Sequence, residues 1–565
     1  MGESISAPTK ITGGVIWPVL LVLGASISLL AYWRRDPKKF ISANKTQSAL
    51  PLSLNFIGSG IGCGLFAAFP QIANIAGLHG LFVYAIIGSL PMYLFAFLGP
   101  LIRKKTPNGF LLTEWVFHRY GLICSWYLSL CTLLTLFLFA VGDFSSLKIC
   151  VVALTGMDPL PVIIAEAVIT TCYTTIGGFG ISFLTDSFQV YIGISLMLIL
   201  GYGIRGYTTI DMEKVASVGL LSTNKLGWQL VYILTIAIFT NDLFLNGFWL
   251  RTFASRSDRD LKIACTVSCI VLTIFCIFVG SAGFLAVGAG LLDSNDPNSG
   301  SAFFLLLNAL PEFFLQVALI SFVTLSVCSL DSQQSCLVST ISNDLFRNKL
   351  KIKWARLMVI IIIIPIVLLS LFAENILSIY MFVDLLSSSV IPTLVVGFIP
   401  DLEAYWTSWE VIGGGFGGLF CTFLFGTFYY SDFKEGVKLL LIWNGLYAED
   451  WSTFGAFVTA PLGGIIVSLL IMGVRLYAIE LFQSSSKFKS LCVMIDNVAG
   501  LSNLHHKITL WNHGATMKFK RQEQEEDEIG ASDFILTSHT QPSKTDPNYG
   551  STVAEEQLLI EFVQD

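Results

Sequence analysis

The sequence predicts an all-α membrane protein of about thirteen transmembrane helices followed by a polar tail. Three observations predict it. Apolar runs of about 18 or more residues recur along the chain, the length at which a helix spans hydrocarbon. Loops rich in Lys and Arg alternate with loops that are poor in them. Two of the apolar runs carry polar or glycine-rich interruptions, and those two enter the membrane from opposite sides.

Composition agrees. Of the 565 residues, 54% are hydrophobic and 13% charged, less charge than a soluble chain of this length carries. The net charge of −6 owes part of its excess to the acidic run at Glu523–Glu528. Basic residues sit in short loops rather than on one face, which argues against a nucleic-acid partner. The twelve cysteines are scattered through apolar runs without metal-ligand spacing, as small packing residues are. The N-terminus lacks the basic region of a cleaved signal peptide. It fits the loose myristoylation pattern at Gly2, but Glu3 and the topology below speak against that modification. No Ser/His/Asp spacing, HExxH or phosphate loop is present, so the chain does not read as an enzyme.

The candidate spans cover roughly 14–33, 50–72, 79–102, 120–142, 160–176, 183–204, 228–250, 263–290, 312–341, 355–373, 376–399, 409–429 and 452–478. Basic clusters follow the first span (Arg34, Arg35, Lys38, Lys39, Lys45), surround the third-to-fourth connection (Arg103, Lys104, Lys105, Arg119), and follow the seventh (Arg251, Arg256, Arg259, Lys262) and ninth (Arg347, Lys349, Lys351, Lys353, Arg356). Intervening loops are poorer, and 291–302 has no Lys or Arg. The positive-inside rule then places the N-terminus outside and the tail in the cytoplasm. Residues 1–480 form the transmembrane domain, and 481–565 a cytoplasmic, largely disordered tail.

The second span reads LSLNFIGSGIGCGLFAAFP, with Gly58, Gly60, Gly62 and Gly64 at alternate positions. Two readings stand: close helix packing, or an unwound stretch whose carbonyls become ligands. The seventh span carries TNDLFLNGFW, with Asn241, Asp242, Asn246 and Gly247. Five spans separate the two starts, so residues about 50–204 and 228–399 could be inverted repeats with a midplane site between the interrupted segments. Gly60, Asn246 and Trp249 are the substrate-binding candidates, because an open backbone and an amide offer hydrogen bonds and an aromatic can close over a solute. The ninth span is dense in hydroxyls around Asp331. Isolated ones bond back to the preceding turn, but the density favours at least one facing a wet cavity. Oxygen-rich sites suit hard cations.

Thr185-Asp186 lies at the edge of the sixth span, and an acid in such a place is a functional candidate by default. With 177–182 as a short cytoplasmic loop, two accounts of Asp186 arise. One is a helix N-cap. The other is a carboxylate bordering the inward path of a coupling ion.

Several of these residues resemble the sodium:solute symporter family. Tyr173, Gly177-Gly178, Thr185-Asp186 and Gln189 fill its pattern of an aromatic, a glycine pair, Thr/Ser-Asp and a later glutamine. Trp249-Leu250-Arg251-Thr252-Phe253-Ala254-Ser255 matches W-x-R-x-x-A-S, with Leu250 where the family usually has Gln. Cys328-Ser329-Leu330-Asp331-Ser332 and Asn343-Asp344 match the ninth-span pattern, with Cys328 replacing a hydroxyl. Within the family, Thr106–Gly121 is most similar to the fungal and plant urea active transporters. The resemblance covers roughly residues 30–400.

It implies a LeuT-like fold with a 5+5 inverted repeat, alternating access, and a cation site between the broken second span and the ninth. That site would comprise Ser329, Cys328, Asp186 and backbone near Gly58 and Ser59, with Na+ as the possible coupling ion and no other cofactor. A cysteine sulfur is a poor sodium ligand, which brings proton coupling forward. The function this implies is cation-coupled import, at the plasma membrane, of a small polar solute such as urea or a polyamine. Proline-like solutes, a uniporter and a non-transporting nutrient receptor of the same fold stay open, as does the oligomeric state.

The topology is testable in sealed cells. Cysteines introduced by Ser294→Cys and Ser543→Cys are expected to label from opposite sides, and labelling from one side would overturn the thirteen-span arrangement.

Overall fold

The computed structural model describes residues 14–34, 44–106, 111–346, 351–373, 375–399, 402, 405–443, 446 and 450–482. The Gly2 motif, the tail from Gln483 and the side chain of Gln189 lie outside the described residues. Described elements are helical, the state in which a backbone satisfies itself within hydrocarbon.

The chain begins with α1 (Ile16–Arg34), α2 (Ala49–Gly60), α3 (Leu65–Ser89) and α4 (Met92–Lys105). A short α5 (Leu112–Tyr120) leads into α6 (Leu122–Thr155), α7 (Leu160–Gly177) and α8 (Phe179–Tyr207). After a small α9 (Met212–Ser217) come α10 (Lys225–Phe244), α11 (Asn246–Ala254) and α12 (Asp258–Gly288). Then follow α13 (Ala302–Asn308), α14 (Glu312–Thr340) with a π-helical extension at Ile341–Leu345, α15 (Ile352–Phe372) and α16 (Ile376–Val395). The last three are α17 (Ser408–Tyr430), α18 (Phe433–Leu440) and α19 (Ser452–Phe482).

Eleven stretches of the described residues are long and apolar enough to cross a membrane. One of them, residues 65–105, turns at Gly77, whose φ is +62°, and so holds the end of the second expected span, which begins in α2, and the whole of the third. The 29-residue α8 supplies the sixth, so every one of the thirteen expected spans has a helical counterpart.

Three boundaries differ from expectation. The loop expected at 177–182 is the single residue Gly178 (φ +58°) between α7 and α8. The fourth span does not end near 142: α6 continues through Asp143 and Lys148 to Thr155, because polar residues interrupt hydropathy without interrupting a helix. Nor are all the basic residues counted as loop charges exposed, since Arg251 and Arg119 are buried.

Both interruptions are real breaks. The first lies at Ile61–Gly64, between α2 and α3, slightly beyond the expected Gly58–Gly62. The second is Leu245, between α10 and α11. Burial ranks the helices around them. Within its spanning window α14 is 83% buried and α16 72%, against 28% for α1 and α15, so α14 and α16 are central. α14 packs on α8 and α6, α12 on α3 and α2, and α10 on α3 and α16.

On the side of the basic loops the two broken helices are tied together. Lys45 and Gln47 donate backbone hydrogen bonds to Phe253 and Ala254, both at 2.9 Å, and Arg256 N–H donates to Gln47 at 2.8 Å. Arg103 pairs with Asp258 at 3.4 Å. The fold is closed there.

Gly77 and Gly58 separate two uses of glycine. A Cβ at Gly77 would lie 2.2 Å from the Leu220 carbonyl oxygen, in a left-handed backbone. One at Gly58 would meet the Val190 side chain at 3.0 Å. Gly77→Ala is expected to cost on the order of 2–4 kcal/mol and Gly58→Ala distinctly less, read as thermal unfolding of the purified protein.

Candidate functional site

The two breaks open on one cavity of about 170 Å3, walled by α2, α3, α6, α10, α11, α14 and α16. Among the expected residues, Ser59, Gly60 and Ser329 line it. Ser329 of α14 donates to the Asp143 carboxylate of α6. Gly60 ends α2, where a Cβ would meet Leu272 at 2.9 Å.

Other expected residues face elsewhere. Gly58 serves the packing of α2 on α8, as its contact with Val190 shows. Asn246 starts α11, and its amide donates to Thr340 Oγ1 at 2.8 Å. Trp249 is fully buried, donates from Nε1 to the Leu243 carbonyl at 2.9 Å, and packs edge-on against Phe95 at 5.1 Å. It closes the end of α10 across the break rather than closing over a solute. Sequence spacing placed these residues beside an interruption but could not say which way each helix turned.

Asp186 differs most from expectation. The cap position of α8 belongs to Gly178, with no side-chain cap, and Asp186 lies in the following turns, fully buried. It pairs with Arg251 at 2.7 Å, accepts Ser332 Oγ at 3.0 Å and accepts the Cys328 thiol at 3.1 Å. N-capping is therefore not its role. Its neighbour Thr185 donates to Asp331 at 3.1 Å, as does Thr174 at 3.3 Å.

Arg251 is spent at every nitrogen. Nε donates to the Asn55 carbonyl at 3.0 Å, Nη1 to the Gly247 carbonyl at 2.9 Å, and Nη2 to Asp186 and Ser332. Cys328, Asp186 and Ser329 are thus all engaged by protein groups. This donor set does not fit a bare sodium ion between Cys328, Ser329 and Asp186, because a guanidinium already neutralises the carboxylate there.

Three acids line the cavity that sequence reasoning did not select as site residues: Asp143 on α6, Asp242 near the end of α10 and Asp384 on α16. Asp143 is held by the Gly64 N–H at 3.0 Å, the Gln333 amide at 2.7 Å and Ser329. Asp384 lies beside Asn241, and Asp242 and Asp384 are near enough to interact through their charges. Among the described residues none of the three has a salt-bridge partner, and nothing donates to the Asp242 carboxylate. Relative exposures of 8% for Asp242 and 7% for Asp384, with both on the cavity wall, leave them open to an occupant. The signal that singled out Asp186, a lone acid within an apolar run, would have found Asp143 and Asp384 as well.

Aromatic rings complete the wall. Phe69 stacks on Tyr84 at 4.0 Å and Phe139 on Tyr380 at 4.7 Å, and all four line the cavity. Gly64 and Gly142 give Tyr380 its place, since a Cβ at Gly64 would fall 1.6 Å from its hydroxyl. The combination is chemically specific: aromatic faces and carboxylates together receive ammonium groups. The carboxylates are spread over three helices, and among the described residues no cluster could hold a metal ion.

Removing one partner of a buried ion pair leaves an uncompensated charge, typically costing about 3–5 kcal/mol. Asp186→Asn is therefore expected to lower thermal stability strongly. Adding Arg251→Gln to it removes the unpaired charge but also the bonds to Asn55 and Gly247, so the double variant should recover only part of the loss. An Asp186→Asn protein as stable as the wild type would show the pair to be unimportant.

No family model matches the chain. The spermidine transporter DUR31 of Candida albicans is 49% identical over 449 residues, spanning 79% of this chain and 86% of that protein. Among solved structures, a Na+-coupled sialic acid symporter in a substrate-bound outward-open state aligns over 81% of this chain and 97% of its own, with a TM-score of 0.65 at 14% identity. MHP1, a nucleobase-cation-symport-1 family transporter, aligns over 78% and 96% with a TM-score of 0.49 at 13% identity. The symporter alignment shows the LeuT-like fold that the sequence implied, and the fungal relative shows the family: this chain belongs to the membrane transporters that include the Candida albicans spermidine transporter.

Proposed function

We propose that this chain is a cation-coupled secondary transporter that imports a polyamine-like polycation by alternating access. The observation that carries the reading is the set of three cavity carboxylates, Asp143, Asp242 and Asp384, without a cationic partner among the described residues. Carboxylates held away from water are costly unless a positive charge meets them. An amine with several charges would meet them one by one, with Tyr84 and Tyr380 offering ring faces to the same ammonium groups. A neutral solute such as urea would leave all three unanswered, so the geometry favours the polyamine over the urea alternative. The relative's spermidine activity agrees with that preference.

Energetics support import. A trication crossing about 100 mV gains roughly 7 kcal/mol, equivalent to an accumulation of about 10⁵-fold. Membership of the sodium:solute symporter family is the finer reading, supported by the motifs around Tyr173–Asp186, Trp249–Ser255 and Cys328–Ser332. The plasma membrane, an external N-terminus and a cytoplasmic tail after about residue 480 belong to the same proposal, supported by the alternating basic loops.

Uptake of labelled spermidine by the purified protein in vesicles tests the reading and separates it from a receptor that does not transport. Asp143→Asn, Asp242→Asn and Asp384→Asn should each raise KM about tenfold or more, the size expected for a lost charge-assisted hydrogen bond. Uptake of urea or proline uninhibited by polyamines would overturn the assignment, as would unchanged KM in all three variants.

A further inference from the structure

A fourth buried acid stands behind the cavity wall. Glu166 lies on α7 and is fully buried. Its Oε1 accepts the Ser326 hydroxyl of α14, while its Oε2 has no hydrogen-bond partner. Among the described residues no Lys or Arg pairs with it. A carboxylate so placed at membrane depth takes up a proton rather than remain ionised. A glutamine would accept the same hydroxyl without that liability, so the bond to Ser326 does not account for an acid here.

Glu166 is electrostatically connected to the cavity. Ser326 and Ser329, one turn apart on α14, donate to Glu166 and to Asp143 respectively, which places the two acids beside the same turn of that helix, where their charges interact. Cys63, in the break between α2 and α3, lies within reach of both acids, its thiol donating to the Phe322 carbonyl at 3.8 Å. The titratable groups facing Glu166 are Asp143 and Cys150 from α6, Cys63 from the break, and Tyr173 from its own helix. From α14 it receives Ser326, and α1, α8 and α15, which also pack on α7, add no charged group to that set.

We infer that Glu166 is a proton-binding site linked to the substrate cavity, protonated while the cavity is empty and deprotonated when an ammonium group binds at Asp143. The inference rests on the polyamine reading above. In the exchange the carboxylic acid gives up H+ to the side on which the cavity is open and becomes a carboxylate in the field of the bound cation. The acid O–H is the one covalent bond that changes. Proton and polyamine carry the same sign at neighbouring sites, so each opposes the other's binding, and the linkage is reciprocal. A carrier that returns protonated exports one proton per polyamine imported, and two of a trication's three charges still enter in each cycle.

The purified full-length protein, titrated with spermidine in weakly buffered detergent solution containing a pH indicator, tests this. Wild type should release protons as it binds spermidine, at least one of them from Glu166, and its Kd should fall as pH rises by about tenfold per pH unit for each proton released. Glu166→Gln should release about one proton fewer per spermidine bound than wild type, with an affinity that depends less steeply on pH, the remaining release coming from the cavity acids. Release by Glu166→Gln equal to wild type would overturn the inference, as would binding by wild type without release. Either result leaves the polyamine reading standing, whereas no binding of spermidine by wild type at any pH removes that reading and the inference with it. If Glu166→Gln does not fold, Ser326→Ala keeps the acid while removing its hydrogen bond. Its proton release should persist with the midpoint moved to higher pH, and an unmoved midpoint would count against Glu166.

Discussion

The structure depends on one constraint: each acid placed at membrane depth must be met by something, and α14 supplies most of what meets them. Ser326, Ser329 and Ser332 recur at every third position and donate to Glu166 on α7, Asp143 on α6 and Asp186 on α8. The i, i+3 spacing keeps successive side chains on neighbouring faces of a helix, so one element can address three others. Asp331 of the same helix takes bonds back from Thr174 and Thr185. Such a helix has to be central. Its spanning window is the most buried of the eleven.

The two breaks are held by the same means. Interrupted helices expose carbonyls that hydrocarbon cannot solvate. The Trp249 indole takes that of Leu243 in the last turn of α10, while Arg251 reaches carbonyls within α2 and α11, those of Asn55 and Gly247. A guanidinium suits the task because its donors are fixed in a planar fork and its charge is permanent. Set between α2, α8, α11 and α14, Arg251 ties the broken helices to the core from the side where backbone bonds between Lys45–Gln47 and Phe253–Ala254 close the fold. A buried ion pair is weak evidence for stability. Here its geometric consequence is clearer: Asp186 and Arg251 fix how α8 and α11 meet, and they must part or move together if that side is to open.

Against this background the cavity acids stand out by what they lack. Asp186 and, near the α17–α19 contact, Glu410 each have an arginine, the latter Arg475 at 2.8 Å. Asp344 has Thr113 at 2.7 Å and Ser129 at 2.8 Å. Asp242 and Asp384 have far less, although hydroxyl-bearing helices surround them. Incomplete satisfaction of this kind tends to persist where function requires it. Asp186, Asp344 and Glu410 are matched by protein groups, whereas Asp242 and Asp384 on the cavity wall are left for a ligand.

The sequence by itself determined the number of spans, the alternation of basic loops, the places where two helices break, and the family resemblance carried by Thr185-Asp186, Trp249–Ser255 and Cys328–Ser332. All of these are one-dimensional signals: the length of an apolar run, the charge of a loop, a cluster of glycines. The tertiary structure decided where each side chain points. It turned Asn246 and Trp249 away from the cavity, made Gly58 a packing contact, and moved Asp186 from a helix cap to the partner of an arginine 65 residues further along. It also brought Asp143, Asp242 and Asp384 together from three helices. The physical reason is that the cost of burying a charge, and what relieves it, depend on neighbours across helices. Spacing along one helix does not specify those neighbours until the bundle is packed.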